Sequence, residues 1–366
     1  MREGNSNLFF KLALVIGGVL VAGLLCEIIL RAKVQMENEG VLSAQLDTGL
    51  KIPSDRNVTL IHLIRFSAQP SIIYELRPNL SVFFLGQACT TNSIGFRSPE
   101  PADGDGGRRI VGIGDSVMFG WGVSDEQTYL AVLEEELDHT IGPLGATVVN
   151  TGVPGYNAVM EVETLEHRGL QFRPDVVVMN FVGNDLYLPN FIRSKKKVFD
   201  LGRSHFVDFL RRSTGVGWHK SDWTQLRLAG VESVPPEEST GFGRSLNPDD
   251  VPPQYRDMVG WPAYSRTMTR LAEMSREHGF EVIWLSTAPG MGASKKRAMA
   301  IARDLGFTVV DAGPSLDEYM NLHDIQSFIG SALTISATDP HPSALSHKII
   351  AAVLLEHFGP GGTDVS

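Results

Sequence analysis

The 366 residues are 43% hydrophobic and 20% charged, which suits a chain with one sizeable core and does not suit a disordered one. The 32 basic residues stand against 42 acidic ones, a net charge of -10 that argues against a protein held on nucleic acid or anionic lipid by charge alone. The two cysteines, Cys26 and Cys89, make no disulfide framework, and no HExxH or paired CxxC spacing points to zinc.

The first element is "LFFKLALVIGGVLVAGLLCEIILR". Leu8 to Leu30 matches the ~20 apolar residues that cross a hydrocarbon core, with only Lys11 and Glu27 charged near its ends. An uncleaved anchor over residues 1–33 is the favoured reading. The run from Leu12 to Cys26 is short enough for a signal peptide, but no A-x-A-like site follows it, and Leu25 is too large to precede a lipoprotein cysteine. A cleaved signal and a buried helix are the rivals. Arg2 and Lys11 precede the run while Arg31 and Lys33 follow it, and the favoured orientation leaves the main domain outside the cytoplasm, periplasmic or at the cell surface.

Residues 34–107 form a small β-rich extension and linker. Ala32 to Gln69 carries no clear pattern, whereas "IIYELRPNLSVFFLGQACTTNSIGFRSPEP" contains short β-rich runs broken by turn-like segments, which predicts hairpin strands. "PADGDGGR", Pro101 to Arg108, is a loop.

Residues 108–360 make up the main domain. Strands are predicted at "RIVGIGD", "TVVNTGV", "DVVVMNFVG", "EVIWLST" and "FTVVDAG", near-continuous apolar runs of the kind found in parallel strands covered on both faces. Helical patterns separate them. Ser124 and Gln127 have capping-box spacing ahead of one helix, Gly279 and Gly306 are C-cap candidates, and the last helix runs from an N-cap at Ser343 to a stop at Gly359. This alternation predicts a three-layer α/β fold with a parallel sheet, whose ligands gather at the carboxyl ends of the strands. One interval, about 186–260, is rich in Pro, Gly and charge and is read first as a lid-like insertion, with a solvated, poorly ordered insertion as the close alternative. Its basic cluster Arg193 to Lys197 is read first as a wet surface, with a membrane-facing role as the alternative. Residues 361–366 are read as a disordered tail.

The strand ends collect polar groups. Gly114-Asp115-Ser116 ends the first, "NTGVPGYN" follows the second, Gly183-Asn184-Asp185 ends the third, and "TDPHPSALSH" precedes the last helix. Taken singly these are a helix cap, a turn, an Asx-turn and a surface histidine. Together, and in this order, they match what acyl transfer needs: a nucleophile, a base and donors for an oxyanion. The G-x-S-x-G elbow is absent, because Met118 holds its last position.

From about Arg109 to Phe358 the chain resembles the SGNH hydrolases, the GDSL esterase and lipase superfamily, and more loosely its membrane-anchored bacterial members. The resemblance implies a flavodoxin-like parallel sheet and a serine esterase that needs neither metal nor organic cofactor. It implies Ser116 as nucleophile, His341 as general base, and an oxyanion hole made by the backbone N–H groups of Ser116 and Gly155 and the Asn184 side-chain amide. Val117 replaces the Leu of the GDSL name. The family's Asp three residues before the histidine is Thr338 here, so the orienting acid must come from elsewhere. Pro340 and Pro342 favour an extended "DPHP" segment, in which residues two apart share a side, and this points to Asp339. Asp311, at the end of the last predicted strand, is the reserve, and a dyad without an acid is third. The expected substrate is an acyl ester, either a lipid or an O-acylated carbohydrate. The rivals are an O-acyltransferase acting on a cell-envelope polysaccharide and a non-catalytic envelope scaffold or glycan-binding module.

Overall fold

The computed structural model describes residues 3–38, 57–100, 107–141, 145–193, 204–214, 223–225 and 245–358. The chain divides into two units, one comprising Met1–Gln45 and Arg193–Trp223, the other Leu46–Ile192 and Thr224–Ser366. The linker residues 101–106, the Gly359 stop, the 361–366 tail and segments 194–203, 215–222 and 226–244 of the insertion lie outside the described residues.

The first unit contains α1 (Glu3–Asn38), a single 36-residue helix. Its stretch Phe10–Lys33 is the one helix among the described residues that is long and apolar enough to cross a membrane. Large side chains along it, from Phe10 to Ile29, are exposed, so it is not a core helix.

The second unit opens with β1 (Asn57–Val58), a one-turn helix α2 (Leu60–Leu63), β2 (Ile64–Phe66), β3 (Tyr74–Leu76), β4 (Ser81–Phe84) and β5 (Gln87–Thr90). β4 pairs antiparallel with β5 inside the predicted β-rich run, and β3, also inside it, pairs antiparallel with β2 from the stretch before it. The stretch without a pattern holds α2, β1 and β2, elements of four residues or fewer that are too short to show a period.

The main sheet follows in chain order. β6 (Arg108–Ile113) leads into the short α3 (Ser116–Phe119) and then α4 (Tyr129–Ile141); β7 (Ala146–Asn150) leads into α5 (Ala158–Thr164). β8 (Val176–Phe181) precedes the insertion, which contains β9 (Phe191–Arg193), α6 (His205–Thr214) and β10 (Trp223–Gln225). The chain resumes with α7 (Gly260–His278), β11 (Glu281–Ser286), α8 (Ala293–Asp304), β12 (Thr308–Asp311), α9 (Gly313–Leu322) and α10 (Ala344–Leu355).

The sheet has five strands in the order β12-β11-β8-β6-β7, all parallel. Counted along the sheet strands alone this is 2-1-3-4-5, the flavodoxin-like order, with its switch point between β6 and β8. Successive residues of one strand feed opposite cores, as the period of two requires. Val111, Ile113, Val177 and Met179 pack with α5, α7 and α8, while Ile110, Val176 and Val178 pack with α4 and α10. All six residues of β8 are buried, which is why its sequence reads as an unbroken apolar run.

The helix ends follow local rules with two refinements. Ser124 and Gln127 close on one another, the Gln127 side chain accepting from the Ser124 N–H at 3.2 Å, but they open a 3-10 turn over Asp125–Gln127 and the α-helix begins at Tyr129. Gly279 caps α7 in the left-handed region, whereas α8 ends at Asp304, ahead of Gly306. Ser343 caps α10 through the Ser346 N–H.

Candidate active site

Ser116 stands at the first position of α3, where β6 gives way to helix. Asp115 is the N-cap: its Oδ1 accepts from the Val117 N–H at 2.9 Å. Ser116 is thereby held at the carboxyl edge of the sheet beside the switch point.

The segment carrying His341 is fixed as an extended edge. The Ile335 N–H donates to the His341 carbonyl at 2.9 Å, and Thr334 and Pro342 form an isolated antiparallel bridge. Residues two apart on such an edge share a side. His341 Nε2 lies 2.9 Å from Ser116 Oγ, and its Nδ1 lies 2.6 Å from Asp339 Oδ1. With Nδ1 carrying the proton, Nε2 is left to accept from the serine hydroxyl. Burial raises the Asp339 carboxyl, but the hydrogen bonds and charge of His341 and the Trp121 N–H outweigh it and hold the group below its usual range. Asp339 is therefore ionised at neutral pH. Asp311 is placed elsewhere: its Oδ1 pairs with the buried Lys295 ammonium at 2.7 Å and accepts from the Gly313 N–H at 2.9 Å.

Asn184 sits in the 3-10 turn Gly183–Leu186 that follows β8. Its Nδ2 donates to Asp115 Oδ2 at 2.9 Å and to the Tyr156 carbonyl at 3.2 Å, while Ser116 Oγ lies 3.1 Å from the same Asp115 oxygen. Asp115 thus ties Asn184 and Ser116 together across the switch point. Gly155 has φ +77°, and a Cβ there would collide with Asn190, so the turn after β7 requires glycine. Behind Asn184 lie two buried carboxyls, Glu161 and Asp185; burial first, then the neighbouring acids, pushes both well above their ordinary range.

Three residues that the sequence did not single out shape the site. Trp121 donates its Nε1–H to Asp339 Oδ2 at 2.9 Å, and its ring stacks on His341 with centroids 5.0 Å apart and 21° between planes. Arg97, from the N-terminal extension, donates to the carbonyls of Phe119, Gly120 and Val123 and pairs with Asp125 at 2.6 Å, so it fixes the loop that carries Trp121. Tyr74, also from the extension, donates to the Pro154 carbonyl at 3.0 Å and accepts the Tyr156 hydroxyl on its own carbonyl. Among the described residues no three His, Cys, Asp or Glu side chains converge as a metal-ligand set.

A doubly wound sheet with serine, histidine and carboxylate side chains gathered at its switch point has the groups that acyl transfer uses. The chain belongs to the GDSL-like lipase/acylhydrolase family, which matches residues 113–349. Among solved structures it is similar to a catalytic mutant of an acetylxylan esterase from Geobacillus stearothermophilus, at 16% identity over 72% of this chain and 100% of the other, with a TM-score of 0.41. It is also similar to an alpha/beta hydrolase enzyme from the metagenome of Lake Arreo, Spain, at 15% identity over 69% and 94% of the two chains, with a TM-score of 0.38. No curated protein sequence matches the chain.

Proposed function

We propose that this hydrolase is a membrane-anchored serine esterase acting on an acyl ester of a lipid or of an O-acylated carbohydrate. Ser116 is the nucleophile, His341 the general base and Asp339 the orienting acid. The observation that carries this reading is the chain of contacts through one imidazole, 2.9 Å to Ser116 Oγ on one side and 2.6 Å to Asp339 on the other.

His341 Nε2 takes the hydroxyl proton as Ser116 Oγ attacks the ester carbonyl. Asp339 stabilises the imidazolium and keeps Nδ1 protonated. The carbonyl oxygen becomes an oxyanion held by the Ser116 and Gly155 N–H groups and the Asn184 amide. One such donor is worth on the order of 10²–10³ in turnover. Collapse passes the proton from Nε2 to the departing alkoxide, and a water activated by the same nitrogen then releases the acid and restores Ser116. Residues 186–260 act as an insertion that selects substrate, and α1 tethers the protein with its main domain outside the cytoplasm.

The test is a panel of p-nitrophenyl acyl esters and acetylated sugars run with the protein and with Ser116→Ala, together with fluorophosphonate labelling. Hydrolysis lost in Ser116→Ala and a label located on Ser116 are expected. A label elsewhere, or an active Ser116→Ala enzyme, overturns the reading. Preferred transfer to an added sugar hydroxyl over water identifies an acyltransferase using the same residues.

A further inference from the structure

A carboxylate inside an apolar span is costly to carry unless something there compensates it. Glu27 lies within the Phe10–Lys33 stretch of α1. Its Oε2 accepts from the Ser204 hydroxyl at 2.8 Å and the Phe206 N–H at 2.7 Å, and its Oε1 from the His205 N–H at 3.1 Å. Arg31, one turn further on, pairs with it at 2.7 Å. The backbone donors belong to the N-terminus of α6, so a side chain of one helix caps the open end of another. The Phe206 ring lies against Gly23, where an added Cβ would touch it at 3.8 Å. Gly23, Glu27 and Arg31 recur at every fourth position and form a half-buried stripe, while Leu24, Leu25, Ile28 and Ile29 around them are exposed.

Beyond Phe206, α6 carries Val207, Phe209 and Leu210, which are 41%, 50% and 44% exposed. The depth of the contact says what covers them. At 1.5 Å per residue the Phe10–Lys33 stretch is ~36 Å long, against a hydrocarbon core of ~30 Å. Centred on a bilayer, the stretch extends ~3 Å past the core at each end, and Glu27, ~9 Å before Lys33, lies about 6 Å below the core boundary. Amphipathic surface helices bury their apolar face roughly 5–10 Å into this same zone.

We propose that α6 is an interfacial helix, lying in the surface of the bilayer that α1 crosses, docked on α1 through Glu27 and immersing Val207, Phe209 and Leu210 in lipid. The partner is a lipid surface because the exposed face adjoins a membrane-length helix whose apolar side chains are exposed in the same way. α1 therefore stays on the mature protein, since its removal would uncap α6. The inference rests on α1 as a membrane anchor and is independent of the esterase chemistry.

The test uses the full chain carrying Cys26→Ser and Cys89→Ser, with Val207→Cys labelled by the environment-sensitive dye NBD, in phosphatidylcholine–phosphatidylglycerol liposomes. The expected emission is blue-shifted and quenched more strongly by a nitroxide placed near the lipid headgroup than by one near the chain end. Adding Glu27→Leu should reduce that quenching several-fold while the protein stays resistant to carbonate extraction. Water-like emission without lipid quenching, quenching unchanged by Glu27→Leu, or a mature chain that begins beyond Glu27 would each overturn the proposal. Thermal unfolding matched to the unlabelled protein shows that the label has not disturbed the fold, and ester hydrolysis is not used as a readout.

Discussion

Asp339 divides its two oxygens between the His341 ring and the Trp121 indole, whereas Asp311 is engaged by Lys295. The two carboxylates should answer the same substitution in opposite ways. Asp339→Asn is expected to lower kcat on a soluble ester by on the order of 10³–10⁴ with little change in unfolding temperature, because the wrong imidazole tautomer is then favoured. Asp311→Asn leaves the buried Lys295 ammonium without its counter-charge, and a loss of about 3 kcal/mol in stability is expected with kcat unchanged below the transition. Kinetics and thermal unfolding run on both variants check the pair. Trp121→Phe keeps a ring against His341 but removes the N–H, and about a tenfold fall in kcat at nearly constant KM is expected from one charge-assisted hydrogen bond. The Asp339–His341 contact was legible in the sequence because it is local, two residues on an extended segment. Trp121 was not legible, since a tryptophan between two glycines acquires its partner 218 positions away. Arg97 was hidden for the same reason: its partners at Phe119, Gly120, Val123 and Asp125 lie 22 to 28 residues downstream, in a stretch with no period of its own.

At the scale of elements, the packing of α10 on α4 turns on one imidazole. The buried His347 ring stacks on Tyr129, and its Nδ1 accepts from the Tyr129 N–H at 3.1 Å, at the start of α4. Burial, then the charges of Arg97 and His341, hold His347 down to about 3 from its usual 6.5. Below pH 6.5 the unfolded chain takes up a proton that the folded chain refuses, so the stability from this group is complete above that pH and lost as pH falls towards 3. The expected slope is about 1.4 kcal/mol per pH unit, and it should be missing from His347→Gln in urea unfolding measured at several pH values between neutrality and mild acid. The five main strands could be read because burial on both faces leaves an unbroken apolar signature, visible in Val176–Phe181. The extension was legible only as hairpins. Strands of two to four residues carry too little pattern to disclose that Tyr74 and Arg97 brace the turns around Ser116 and Gly155.

For the whole molecule, the proposed anchoring by the Phe10–Lys33 stretch, which is long and apolar enough to cross a membrane, leads us to expect that the full-length protein sediments with membranes and resists alkaline carbonate. Recovery of a soluble species would count against the anchor. A further consequence lies in how the sheet is threaded. β8 and β11 pair along six positions, Glu281 with Val176 through Ser286 with Phe181, yet the insertion separates them in the chain. The seam between these neighbouring strands is therefore closed by backbone hydrogen bonds and by the α7 core, with no covalent continuity needed along it. A polypeptide ending within residues 226–244 would keep Ser116, Gly155 and Asn184, and one starting there would keep Asp339 and His341. A protease site engineered into that interval is expected to yield two fragments that remain associated under native conditions and hydrolyse ester together, and that lose activity when separated in denaturant and recover it on mixing. The fold would then behave as a split enzyme, with nucleophile and base on different polypeptides and turnover reporting their reassembly.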